Sequence, residues 1–311
     1  MKIASIDIGT NTVIMLVAEV FPGIKEIKTI KNYYSIPRIG KNLQMTQLIS
    51  DLKIHELVSI LIDFKTKAIN SGCEKILINA TAALRNAKNS ESIIFLIKSV
   101  VGLEVNVICG LDEAKFAFLG ANLLSPEEVV AVIDIGGGSS EVIIGKGDKL
   151  LSLFSYEFGV VKLTEKYLIS DPPRINEING LEEAIISALK EYKFNKYAPL
   201  HGIAIAGTPT TLSAIKRKLY RFDEDLIDGD VLTLEELFEF KLLLSKLKKK
   251  DLKERYGEII KSREDLLLCG TIILYNIVKY LALNKVIVST KGIRYGAIAD
   301  YLTMISDKCS G

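Results

Sequence analysis

The sequence predicts an α/β protein of two similar lobes around a central cleft, and three observations carry that prediction. Apolar runs of strand length alternate along the chain with longer segments of helical period. At 311 residues the chain exceeds the usual size of a single hydrophobic core, and 49% of its residues are apolar, ample for two. A stretch near the start, "IASIDIGTNT", returns as "VIDIGGGSSE", with an offset of 127 positions between Asp7 and Asp134. The repeat places the lobes at residues 1–124 and 125–311, the second carrying helical insertions and a last helix that can pack back on the first.

"KIASIDI" and "TVIMLVAEV" flank a Gly-Thr-Asn turn and form an antiparallel hairpin. From Leu52 to Ser71 the apolar positions Ile54, Leu57, Val58, Leu61, Ile62 and Ala68 share one helix face, and Gly72 can end that helix. "EKILINA" is a strand. Ser90 can cap a helix that runs to Val101 before Gly102, and "EVNVICG" is another strand. A helix begins near Asp112 and continues through "EAKFAFLGANLL". After Ser125-Pro126 the order of strand, glycine turn, strand, turn and strand repeats through "SYEFG". "HGIAIAG" is a strand that feeds the helix "TPTTLSAIKRKL", with Thr208 at its cap and Pro209 at its first position. The lysine-rich "LSKLKKKDLKER" falls in a mainly helical stretch, and "KVIVSTKGIRYGAIADYL" is a final strand-to-helix step.

With 40 basic against 38 acidic residues, a formal charge of +2, no global field draws nucleic acid or a membrane surface, so any anionic ligand is held locally. Cys73, Cys109, Cys269 and Cys309 have no paired spacing, which argues against a zinc site or disulfide framework and for a reducing compartment. The chain starts without a basic region or cleavage site, and no apolar stretch reaches the roughly 18 residues of a membrane span. A cytoplasmic protein with neither DNA nor membrane as partner is expected. The only histidines, His55 and His201, leave no basis for phosphohistidine chemistry, a serine triad or a histidine metal site.

Asp7 and Asp134 each end a buried strand and are followed by Ile-Gly, at a turn whose backbone can approach a ligand closely. Such turns, at Gly9, Thr10 and Asn11 and at Gly136, Gly137, Gly138 and Ser139, expose amide N–H groups that together form an anion-binding concavity. A carboxylate beside that concavity repels a bare phosphate unless a cation intervenes, and Mg²⁺ bridges the two. Two such turns suggest a site for Mg²⁺ and phosphate; the alternative is that Asp and Gly are ordinary turn residues. "AGTPTTLSAI" is a further phosphate candidate at Gly207 and Thr208, where a helix start favours an anion, or else a plain helix cap. A Walker loop fails because Ser140 stands where its first glycine belongs, and a dinucleotide fingerprint fails because a strand follows the glycines.

In order and spacing, "IDIGTNT", "NATAALRNA", "GLDEAKFAFLG", "VIDIGGGSSEVIIG", "AIAGTPTTLSA", "REDLLLCG" and "STKGIRYG" resemble the exopolyphosphatase and guanosine pentaphosphate phosphohydrolase family over essentially the whole chain. Other members of the actin, Hsp70 and sugar kinase superfamily share the glycine turns but not the segments of Arg85 and Glu113. The resemblance implies two ribonuclease-H-like lobes, in the short form without additional C-terminal helical domains. It also implies hydrolysis of a terminal phosphate from inorganic polyphosphate or from pppGpp, with a homodimer as the expected assembly. By the same resemblance Glu113 is the catalytic glutamate that activates water, Asp134 and Asp7 are the Mg²⁺-associated aspartates, and Arg85 and Arg294 contact phosphate. Asp112 is secondary. Glu141 either joins the metal shell or is a polar position on a strand. An acidic residue such as Glu113 in a first helical turn is also favoured by the helix dipole whatever its role. Lysines 246, 248, 249, 250 and 253 either guide a long polyanion or form a solvated helix face. A non-catalytic polyphosphate or ppGpp sensor and a sugar or acyl kinase remain the rival classes; only "GTPTT" hints at the nucleotide pocket that a kinase needs.

Overall fold

The computed structural model describes residues 1–21, 26–122, 128–147, 149–194, 199, 201–260 and 262–309. The chain divides into two compact units, Met1–Gly120 with Gly292–Gly311, and Ala121–Lys291. The boundary expected at 124/125 lies outside the described residues.

The first unit is built on five strands, β1 (Lys2–Ile8), β2 (Val13–Val20), β3 (Ile27–Ser35), β4 (Lys75–Ala80) and β5 (Asn106–Val107), in the order β3-β2-β1-β4-β5. The first three form an antiparallel meander, while β4 runs parallel to β1 and β5 parallel to β4. On one face of β1, Ala4, Ile6 and Ile8 join a core with Leu57, Leu61, Phe64 and Ala68 of helix Asp51–Asn70 and with Ile93 and Ile97 of helix Ser90–Val101. Side chains alternate along a strand, so Asp7 belongs to the opposite face. Helix Ile293–Cys309 packs on β1, β2 and β3.

The second unit repeats the plan. Strands β6 (Val129–Ile135), β7 (Ser140–Lys146) and β8 (Lys149–Tyr156) form an antiparallel meander, and β9 (His201–Ile205) and β11 (Lys285–Val288) follow in parallel. The order is β10-β11-β9-β6-β7-β8, with β10 (Val231–Thr233) an added antiparallel edge. Helix Leu267–Tyr280 runs through this unit's core, with Ile272, Ile273, Leu274 and Ile277 fully buried. A strand or helix apolar on nearly every side is what burial between two layers requires. The α/β reading with two sheets is therefore what the chain adopts.

Local differences have identifiable causes. Strand β3 carries no signal in the sequence because it is an exposed edge strand, IKTIKNYYS, without an apolar run. Only Asn106 and Val107 of "EVNVICG" pair, at the sheet edge. Helix Ser90–Val101 is preceded by Asn89 rather than capped by Ser90. The run "LSKLKKKDLKER" is not one helix: Leu234–Leu244 ends at its first residue and Lys249–Tyr256 begins within it. Helix Gly207–Lys216 starts earlier than a Thr208 cap would place it, after Ala206 at φ 72°. Among the described residues no helix is long and apolar enough to cross a membrane.

Candidate active site

In the first unit, Asp7 lies near the C-terminal end of β1, which has β2 and β4 as its neighbours. The Gly9 N–H donates to Thr12 O at 2.9 Å and closes the turn. The carbonyls of Thr10 and Asn11 accept from Gly40 N–H at 2.9 Å and Arg38 N–H at 3.0 Å, which fixes the turn from outside. Among the described residues Asn11 Oδ1 and Asp7 Oδ1 are enclosed without a hydrogen-bond partner.

Strands β4 and β5 deliver the next pair of groups. Helix Ala82–Asn86 follows β4 and carries Arg85; Ile108 leads from β5 into helix Gly110–Ala121, whose first turn carries Glu113. Arg85 Nη1 donates to Glu113 Oε2 at 2.7 Å and to Ile108 O at 3.0 Å. Glu113 is buried while Arg85 is half-buried. Among the described residues Nε and Nη2 of Arg85 donate to nothing, so part of its planar fork is left for an anion. Burial raises the Glu113 carboxyl above its ordinary range, and the Arg85 hydrogen bond and charge pull it back part of the way. At Asp7, burial and then the Glu113 charge push the carboxyl up to about 7, against the opposing charge of Arg294.

Arg294 is the second residue of helix Ile293–Cys309 and is buried. Its Nη1 donates to Asn32 Oδ1 on β3, and its guanidinium lies 5.8 Å from the ring centroids of Tyr34 and Tyr295. Tyr295 OH is in turn 2.7 Å from Thr29 Oγ1 of β3. Asp7, Arg85, Glu113 and Arg294, distant in sequence, thus share one electrostatic environment. Carboxyls that hold their protons more tightly than usual, flanked by guanidinium groups, suit acid–base work on an anion.

In the second unit, Asp134 and Glu141 are register partners across the β6–β7 hairpin, and both are buried. Glu141 Oε1 accepts from Ser155 Oγ at 2.7 Å. The Gly136 N–H donates to Ser139 O at 3.0 Å, the same closure as at Gly9. The carbonyls of Gly136 and Gly137 accept from Val160 and Val161 at 3.0 and 2.9 Å, so this turn caps helix Val160–Tyr167. Among the described residues the amides of Gly137 and Gly138 donate to no backbone carbonyl. Ser139 is buried beside them.

Gly207 follows β9, which pairs in parallel with β6 so that Ile205 is level with Asp134. Arg263 Nη1 donates to Gly207 O at 2.7 Å and to Thr211 Oγ1 at 3.1 Å, and a Cβ on Gly207 would come within 2.2 Å of that nitrogen. Thr208 packs on Gly270, where a Cβ would lie 2.1 Å from its Oγ1, so its side chain serves packing rather than capping. Arg263 stands in "REDLLLCG", yet nothing in local spacing announces its contact with residues more than fifty positions earlier. Asn32 and Tyr34 went unmarked for the same reason as their strand. Among the described residues no group of three or more His, Cys, Asp or Glu side chains is arranged to hold a metal ion.

A family model described as the Ppx/GppA phosphatase family matches residues 16–304. "Exopolyphosphatase 2" of Mycobacterium tuberculosis is 29% identical over 235 residues, 71% of this chain and 73% of the relative. A "guanosine-5'-triphosphate,3'-diphosphate pyrophosphatase" of Pseudoalteromonas translucida is 31% identical over 244 residues, 76% of this chain and 47% of the relative. The crystal structure of the Aquifex aeolicus member of the Ppx/GppA protein family superposes with a TM-score of 0.83 at 29% identity, covering 98% of each chain.

Proposed function

The chain belongs to the Ppx/GppA phosphatase family, whose members hydrolyse phosphoanhydride bonds, and from that premise we propose that it is an exopolyphosphatase, removing the terminal phosphate of inorganic polyphosphate as orthophosphate. The observation that supports this reading best is Glu113, a buried carboxylate raised in proton affinity, held at 2.7 Å by Arg85 and facing the charge of Asp7. In the proposed reaction a water oxygen attacks the terminal phosphorus, the bond from that phosphorus to the bridging oxygen breaks, and Glu113 accepts the water proton. The shortened chain leaves with the bridging oxygen. The unused N–H groups of Arg85, together with Arg294, steady the phosphoryl oxygens, as a planar guanidinium does well. Most of the acceleration in phosphoryl transfer comes from such positioning and charge stabilisation. On the second unit, the amides of Gly137 and Gly138 are suited to an anion.

Mg²⁺ is the cation this reading expects, and when bound it supplies neutralisation of phosphate charge. Asp7 fits it, because its enclosed Oδ1 has no hydrogen-bond partner among the described residues. Asp134 and Glu141 are the candidate ligands on the second unit. Mg²⁺ is commonly held by one or two carboxylates, with phosphate oxygens and water completing the shell, so a cluster of three protein ligands is not required.

Asp7 gives a readout apart from turnover. A carboxyl whose folded pKa lies above its unfolded value destabilises the fold increasingly as pH rises from the ordinary carboxylate range through about 7. Without divalent cation, Asp7→Asn is therefore expected to unfold at a higher temperature than the unmodified chain at pH 8 and to lose that advantage at pH 4. Mg²⁺ is expected to raise the melting temperature of the unmodified chain at pH 8 by about 5 °C and to leave Asp7→Asn nearly unmoved. Equal responses of the two proteins to Mg²⁺ would remove Asp7 from the metal site.

Orthophosphate release from long polyphosphate, tripolyphosphate, pppGpp and ATP decides the substrate. Release from polyphosphate is expected to lead. Faster hydrolysis of pppGpp would reassign the chain to that activity, and release from none would leave a binding role.

A further inference from the structure

The second unit holds a concentration of positive charge that the reaction outlined above does not use. Residues 245–256 contain six basic and two acidic side chains, a net of +4, whereas the whole chain carries only +2; the remainder is therefore at −2. Leu244, Leu252 and Ile260 are buried in the unit's core and turn Lys246, Lys248, Lys250, Lys253 and Arg255 outward, all of them exposed. The Lys249 N–H, donating to Asp171 Oδ1 at 3.0 Å, pins the start of helix Lys249–Tyr256. Of the exposed cations only Lys250 has an acidic neighbour among the described residues, Glu254 at 3.7 Å, and both are open to solvent. The eight-residue helix is roughly 12 Å long, close to the ~10 Å screening length at 0.1 M salt, so these charges act together on one ligand. Beyond the helix, the short turn Gly257–Ile260 packs against helix Gly207–Lys216, and Arg263 reaches the Gly207 carbonyl.

We propose that this cationic strip, Lys246, Lys248, Lys250 and Lys253, is a docking track for the body of a long linear polyphosphate, and so makes the enzyme prefer long chains to short ones. The inference rests on the exopolyphosphatase reading. A linear phosphate chain repeats its charge along its length and needs only a row of cations. Single-stranded nucleic acid would call for exposed aromatic rings on which bases stack, and the strip has none: Tyr256 is half-buried, with the Arg255 guanidinium 5.4 Å from its ring centroid. Tripolyphosphate has too few phosphates to follow a strip of that length.

The test replaces Lys246, Lys248, Lys250 and Lys253 together by Gln. All four are exposed, so folding is expected to be unaffected, and a circular dichroism melt checks it. On long polyphosphate kcat/KM is expected to fall about tenfold at low salt. Its log–log salt slope between about 50 and 200 mM should become shallower by about 2 to 3, as loss of four phosphate contacts implies. On tripolyphosphate kcat/KM should stay within about twofold, since screening leaves exposed charges little effect on a small ligand. An unchanged value on the long chain, or equal losses on both substrates, would overturn the proposal. So would tighter binding of a single-stranded oligonucleotide of equal charge than of long polyphosphate. A second arm measures binding of long polyphosphate in a Glu113→Gln background, where turnover plays no part: loss of affinity in the quadruple variant supports the strip, and unchanged affinity refutes it. If the unmodified chain released no phosphate from any substrate, the exopolyphosphatase reading would fail while this binding arm still judged the strip.

Discussion

Glu113→Gln is expected to lower kcat for orthophosphate release by about 10²- to 10⁴-fold, the usual contribution of a positioned general base. Affinity for polyphosphate should change by no more than about threefold. The replacement is nearly isosteric and keeps an oxygen for the hydrogen bond from Arg85 Nη1. What it removes is the lone pair and charge that take the water proton, so binding and turnover should separate. Because burial raises the Glu113 carboxyl, the acidic limb of the unmodified enzyme's pH profile should fall above the ordinary carboxylate range, with activity rising as the group ionises. The loss in the variant should be greatest above that limb and should shrink as pH falls through it, where a protonated Glu113 is no better a base than Gln. A Gln variant with full activity would take the base away from Glu113 and leave Asp7, pushed up to about 7, as the candidate to examine next.

Gly296→Ala should destabilise the chain by about 1–3 kcal/mol and reduce turnover as well. A Cβ at Gly296 would lie 1.8 Å from Phe116 O and 2.5 Å from its carbonyl carbon, and backbone cannot swing aside as a side chain can. One turn earlier the approach is reciprocated: a Cβ on Gly120 would come 2.1 Å from Gly292 O. Helices Gly110–Ala121 and Ile293–Cys309 therefore meet backbone to backbone, with Lys115 and Asp300 paired at 2.6 Å alongside. Forcing them apart displaces Arg294, two residues before Gly296, relative to Glu113, three residues before Phe116. The urea midpoint and kcat together report this. Gly180→Ala is the control: Gly180 lies inside helix Ile175–Leu189 with only Tyr167 at an ordinary 3.7 Å, so alanine there should stabilise by about 0.5–1 kcal/mol. A Gly296→Ala chain as stable as its parent would show that the helices can separate without cost.

Legibility in the sequence followed the range of the interactions. The meander β6–β8 is legible through all three strands and β1–β3 through its first two, because apolar runs and glycine turns are local signals and the one hairpin repeats the other. Strand β3 left no such signal, since an edge strand needs no apolar run, and with it went the surroundings of Arg294. The family motifs singled out Arg85 and Glu113, but their ion pair joins residues on different helices and no spacing foretells it. The start of helix Gly207–Lys216 is set by a distant guanidinium, Arg263, and by Ala206 at positive φ, where local rules point to a Thr or Ser cap. The lysine run has a helical composition throughout, whereas its buried Leu244 and Leu252 belong to separate helices.

The first unit is discontinuous in sequence: its last helix, with Arg294, is joined to residues 1–120 only after the whole of 121–291 has intervened. During translation, then, β1, β2 and β3 emerge early but wait for the helix that packs on them. Asp7 and Glu113 likewise exist long before the guanidinium whose charge opposes that of Asp7. Every nascent chain is consequently without this set of charged groups until residue 294 has been made, so the first unit cannot be assembled in the order in which its parts are synthesised.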